Sequence, residues 1–146
     1  MPRERTRVFL DASILVAAAK SPSGGSSVAL EVCQSRHYRA IVSLRVLLEA
    51  RKNIMEKFGE AEHVRYYKLL AALDPEICVP APRHEMERCA LLISPKDAHV
   101  LASALASHSV VLLTLDRRHF MTAVIQNARL PLVIMTPGDF LKQLLA

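Results

Sequence analysis

Two apolar runs of strand length, RVFL (7–10) and VVLLTL (110–115), constrain the fold most, and each ends in an aspartate, Asp11 and Asp116. A strand with one face in water alternates polar and apolar residues, so near-continuous runs belong to a sheet covered on both faces. RAIVS (39–43), ICVPAP (77–82) and LPLVIMT (130–136) read as further strands. Helical patterns lie between them, over 12–20, 26–37, 44–58, 60–73, 83–92, 94–108, 118–128 and 137–146. The segment SPSGGS (21–26) combines Pro, Gly and Ser and reads as a loop. In the 44–58 helix, Leu44, Leu47, Leu48, Ile54, Met55 and Phe58 are expected to share one apolar face. Alternating strands and helices predict an α/β fold, a three-layer α/β/α sandwich with a central, mainly parallel sheet. No repeat, low-complexity tract or linker divides the chain, so a single domain over 1–146 is expected.

The chain has the composition of a folded protein, 51% hydrophobic and 23% charged, and with no Trp its core must be aliphatic. A formal net charge of +5 permits a polyanionic partner without identifying one. Cys33, Cys78 and Cys89 are odd in number and lack C-x-x-C spacing, which argues against a disulfide framework or a zinc site. Arg3, Arg5 and Arg7 precede the apolar stretch 8–19 much as in a signal peptide, but Asp11 interrupts that stretch. No run reaches the roughly 18 apolar residues of a membrane span. A cytoplasmic protein with no membrane partner is the expectation.

In open parallel sheets ligands bind beyond the carboxyl ends of the strands. Asp11 and Asp116 close two strands there, Asp97 starts a helix, and Glu49 lies within the first two turns of the helix after RAIVS. One rim could gather all four. Local readings stay open beside this one. Asp11 and Asp116 could be helix N-caps, and Asp97, three residues after Ser94, completes a capping-type box. Glu49, near Arg45, Lys52 and Glu56 on the wheel, could be a solvated charge.

Taken in order, FLDAS, SLRVLLEA, SPKDAHVLASAL and LLTLDRRHF resemble the successive motifs of PIN domains, and IMTPGDFL resembles the C-terminal segment of their VapC-like toxin subgroup. The resemblance covers nearly the whole chain. It implies that Asp11, Glu49, Asp97 and Asp116 are catalytic metal ligands, supported by Ser13 and Thr114. Ala12–Ser13 departs from the Thr and Asn that relatives often carry, although Ser13 still offers a hydroxyl. The implied activity is hydrolysis of RNA, leaving a 5′-phosphate and a 3′-hydroxyl. The implied cofactor is Mg2+ or Mn2+, since hard cations prefer oxygen ligands.

The basic residues Lys96, Arg117 and Arg118 flank the acids in sequence and suit a phosphate track, with ordinary surface charge as their other reading. His119 could touch the scissile region, or it and a buried Phe120 anchor the turn after Asp116. The leading expectation is an endoribonuclease, the toxin of a toxin–antitoxin pair, with RNA as substrate and an antitoxin protein as partner. The alternative is a non-catalytic PIN-like domain that binds RNA or protein. A phosphoacceptor domain fits poorly, because only one Asp follows the first strand and Thr136–Pro137 stands where a Lys is wanted. The apolar stripes of 44–58 and 60–73 lead us to expect a homodimer.

Overall fold

The computed structural model describes residues 4–146; residues 1–3, and with them Arg3 of the basic N-terminal triplet, lie outside the described residues. Five short strands form the sheet: β1 (Thr6–Leu10), β2 (Tyr38–Ser43), β3 (Glu76–Cys78), β4 (Val111–Leu113) and β5 (Val133–Met135). Their order is β3-β2-β1-β4-β5 and every pairing is parallel. Val8, Phe9 and Leu10 of β1 are all fully buried, as expected for a central strand covered on both faces. Burying each such side chain contributes about 1.5–3 kcal/mol.

Helices make every crossover. β1 leads through α1 (Ala12–Lys20) and α2 (Gly25–Cys33) to β2, which leads through α3 (Leu44–Lys57) and α4 (Glu60–Leu73) to β3. These four helices pack on one another. The chain then returns across the sheet through α5 (Arg83–Ala90) and α6 (Pro95–Ala106), which pair with each other and lead to β4. Right-handed crossovers running in opposite directions place the two helix sets on opposite faces. The result is the three-layer sandwich expected. α7 (Arg117–Phe120) and α8 (Ala123–Asn127) precede β5, and α9 (Pro137–Leu144) packs on α2. Among the described residues no helix is long and apolar enough to cross a membrane.

Several boundaries differ from the sequence expectation for identifiable reasons. The 77–82 strand stops at Cys78, before Pro80 and Pro82, which have no N–H for a ladder. The helix expected over 118–128 is two short helices, because Thr122 caps the second by accepting from Ile125 N at 3.2 Å. In α3 the core face is Val46, Ala50 and Ile54, whereas Leu44, Leu48 and Met55 are more than half exposed. Hydrophobicity alone placed those three on the buried side. The smaller Val46 and Ala50 instead permit close packing on α1.

Candidate active site

The strand order reverses direction at the β1/β4 junction, and ligands of open parallel sheets bind in the crevice at such a point. Asp11 leaves β1 there, and Thr114 to Asp116 leave β4 beside it. The two strand ends are tied together. Asp11 N donates to Leu113 O at 3.1 Å, and the buried Thr114 hydroxyl donates to Asp11 Oδ2 at 2.7 Å. Ser13 Oγ donates to the same oxygen at 2.9 Å while accepting from Leu115 N at 3.2 Å. Asp11 Oδ1 accepts from Ala12 N at 2.8 Å, so the cap reading of this residue holds. These three bonds use three of a carboxylate's roughly four lone pairs, leaving one for a cation. Burial raises the pKa of Asp11; the three hydrogen bonds oppose the rise, and the charge of Asp97 adds to it.

Asp97 stands in the first turn of α6, which runs back from this rim. The capping box read from the sequence does not form. Ser94 makes no side-chain bond to the helix backbone, and its hydroxyl donates instead to Asp97 Oδ2 at 3.1 Å. The Asp97 carboxylate is thus not occupied by capping. Asp116 caps α7 through Oδ1, which accepts from His119 N at 3.1 Å, and its Oδ2 lies 2.7 Å from His119 Nδ1. Donor atoms of Asp97, Asp116 and His119 fall within 4.8 Å of one another. Two carboxylates and an imidazole so close fit the donor set of a divalent cation, with Asp11 near enough to Asp97 for its charge to be felt.

Glu49 stands apart from this group. Its Oε1 lies 2.9 Å from Nε2 of His99 and 3.7 Å from Nε of Arg45, with the side chain 40% exposed. The His99 contact is close but bent, and both ring nitrogens lack a well-aligned hydrogen-bond partner. Burial of the imidazole lowers its pKa against the pull of Glu49. His99 carries the field of Asp11 as well, which links Glu49 to the other acids through an intermediate residue. Sequence reading missed His99. A polar residue inside the apolar run of α6 is the only signal it offers.

The flanking basic residues divide. Lys96 and Arg118 are exposed at the rim, whereas Arg117 reaches Asp139 at 3.7 Å with both side chains largely in water, a weak attachment. Phe120 is buried and anchors the turn as expected, but His119 is half exposed and turns back towards the acids. A surface depression of about 670 Å³ lies elsewhere, lined by Arg5, Arg7, Arg39 and His108 around the starts of β1, β2 and β4. It holds none of the four acids.

A family model described as PIN domain matches residues 7–118. Curated protein sequences give no match. Solved structures show the same fold at low identity. A Rickettsia felis VapBC2 complex bound to a DNA fragment from its promoter shares 20% identity, with a TM-score of 0.62 over 89% of this chain and 98% of that one. A protein of Pyrobaculum aerophilum shares 17% identity, with a TM-score of 0.64 over 95% of each chain. VapC20 of Mycobacterium tuberculosis, described as a toxin cleaving the sarcin–ricin loop, shares 12% identity, with a TM-score of 0.56 over 84% of this chain and 95% of that one. The family match spans most of the chain and includes Asp11, Glu49, Asp97 and Asp116. The chain belongs to the PIN-domain family.

Proposed function

We propose that this protein is a divalent-metal-dependent endoribonuclease that hydrolyses RNA phosphodiester bonds. The observation that carries this reading is the approach of Asp97 and Asp116 beside Asp11 at the β1/β4 crevice. Asp11, Asp97 and Asp116 would hold Mg2+ or Mn2+ there, with Glu49 at the edge of the pocket. When bound, such an ion offsets phosphate charge and lowers the pKa of a coordinated water. Thr114 and Ser13 fix the rotamer of Asp11 through its Oδ2, so the carboxylate is held in place without reorganisation. Lys96 and Arg118 offer charge to flanking phosphates, and Arg117 can join them by releasing Asp139.

The fold similarity to VapBC complexes and to an RNA-cleaving toxin supports a role as the toxin of a type II toxin–antitoxin pair, with an antitoxin protein as partner. Homodimerisation in the cytoplasm completes the reading, and the exposed Leu44, Leu48 and Met55 supply the apolar surface for it. The test is incubation of purified protein with structured RNA in Mn2+ and in chelator. Cleavage in Mn2+ alone, leaving 5′-phosphate ends, supports the nuclease. RNA binding without cleavage in either condition would replace it with a non-catalytic binding domain.

A further inference from the structure

His119 has no necessary place in a helix cap. Asp116 caps α7 through its Oδ1 and the His119 backbone N–H, and any residue at 119 supplies that N–H. The side chain does something else. Its Nδ1 sits 2.7 Å from Asp116 Oδ2, and one ligand atom each from His119, Asp116 and Asp97, the last on a different helix, lie within 4.8 Å of one another. A surface His–Asp pair three residues apart needs no third group, and here the third group is an acid of the crevice. The ring is half exposed, so no burial requirement explains its orientation.

We propose that His119 is a ligand of the same pocket: the proton that Nδ1 donates to Asp116 Oδ2 moves through solvent to Nε2 as the ion binds, and the freed Nδ1 lone pair makes a mixed nitrogen–oxygen site preferring transition-metal ions over Mg2+. This inference rests on the cation-holding carboxylates proposed above. Mg2+ takes oxygen ligands and keeps its waters, whereas imidazole is a good ligand for first-row transition ions. An acid-only pocket would discriminate weakly between Mg2+ and Mn2+. An imidazole at its edge tilts the balance.

The test uses the full chain with Mn2+ as the probe, because its electron spin reports a bound nitrogen directly. Pulsed electron paramagnetic resonance of the Mn2+-loaded protein is expected to show nitrogen-14 coupling, absent in His119→Ala and His119→Gln. Mn2+ should bind both variants about tenfold or more weakly, while Mg2+, measured by competition, changes much less. Melts in chelator establish that both variants are folded. Mn2+ binding that depends on Asp97 and Asp116 but shows no nitrogen coupling overturns the inference and leaves the carboxylate pocket standing. Absence of Mn2+ binding, or binding that survives Asp97→Asn/Asp116→Asn, overturns both.

Discussion

Thr114 Oγ1 donates to Asp11 Oδ2 at 2.7 Å, joining the ends of adjacent strands whose residues are 103 positions apart in sequence. Thr114 Oγ1 also accepts from Asp116 N at 3.1 Å, so one buried hydroxyl sets the position of two acids. Thr114→Val preserves shape but strands both partners. It should cost about 1–3 kcal/mol in denaturant unfolding and weaken Mn2+ binding, whereas Thr114→Ser should retain most of both. A valine variant with parental stability and Mn2+ affinity would show that the hydroxyl does not organise the crevice.

Asp116→Asn separates a metal ligand from a helix cap. Asn caps nearly as well as Asp, so without metal the variant should melt close to the parent. With Mn2+ at a hundredfold excess over its dissociation constant the parent should gain about 2.7 kcal/mol, and the variant much less. Equal gains in both proteins would reduce Asp116 to a cap.

At the far end of the sheet, Arg7 of β1 makes two hydrogen bonds to the Glu76 carboxylate of β3, reaching across the intervening β2. The bond from Arg7 holds the pKa of Glu76 below its ordinary 4.5. A depressed carboxylate contributes stability that is present above the unfolded value and lost as pH falls through the folded one. Both side chains are about one-third exposed, so solvent screening keeps the effect small, at most about 1 kcal/mol. Glu76→Gln should therefore be less stable at pH 7 and lose less stability than the parent on acidification below about pH 4.5. Parallel acid unfolding curves for the two proteins would count against the pair.

Much of this arrangement was legible in the sequence because it depends on local pattern. Uninterrupted VVLLTL requires a doubly covered strand, and an acid closing such a strand must lie at the carboxyl rim. What could not be read depends on contacts between elements. The wheel of α3 predicts a Leu44–Leu48–Met55 core face, but the neighbouring α1 selects Val46 and Ala50 by size. Glu49 meets His99 only because α3 and α6 converge, and no spacing within either helix announces it. Ser94 and Asp97 match a capping box in sequence, yet the serine hydroxyl turns to the carboxylate.

The exposed stripe of α3 bears on assembly. Leu44, Leu48 and Met55 are 53–59% exposed, an unusual concentration of large apolar side chains on one helix face. Light scattering at tens of micromolar should give twice the 16.2 kDa chain mass, and Leu48→Glu should return it to one. A monomeric parent would remove this face as a self-association surface.

The most direct measurement is single-turnover cleavage of one structured RNA by the parent and by Asp97→Asn, both in saturating Mn2+. Asp97 makes no bond to the helix backbone through its side chain, so its neutralisation should leave the fold intact. Loss of a ligand that positions charge at the phosphate removes several kcal/mol of transition-state stabilisation, which is about a hundredfold or more in rate. The expected result is rapid cleavage by the parent and a folded, nearly inactive variant. A folded Asp97→Asn protein that cleaves as fast as the parent would contradict the carboxylate pocket as the catalytic centre.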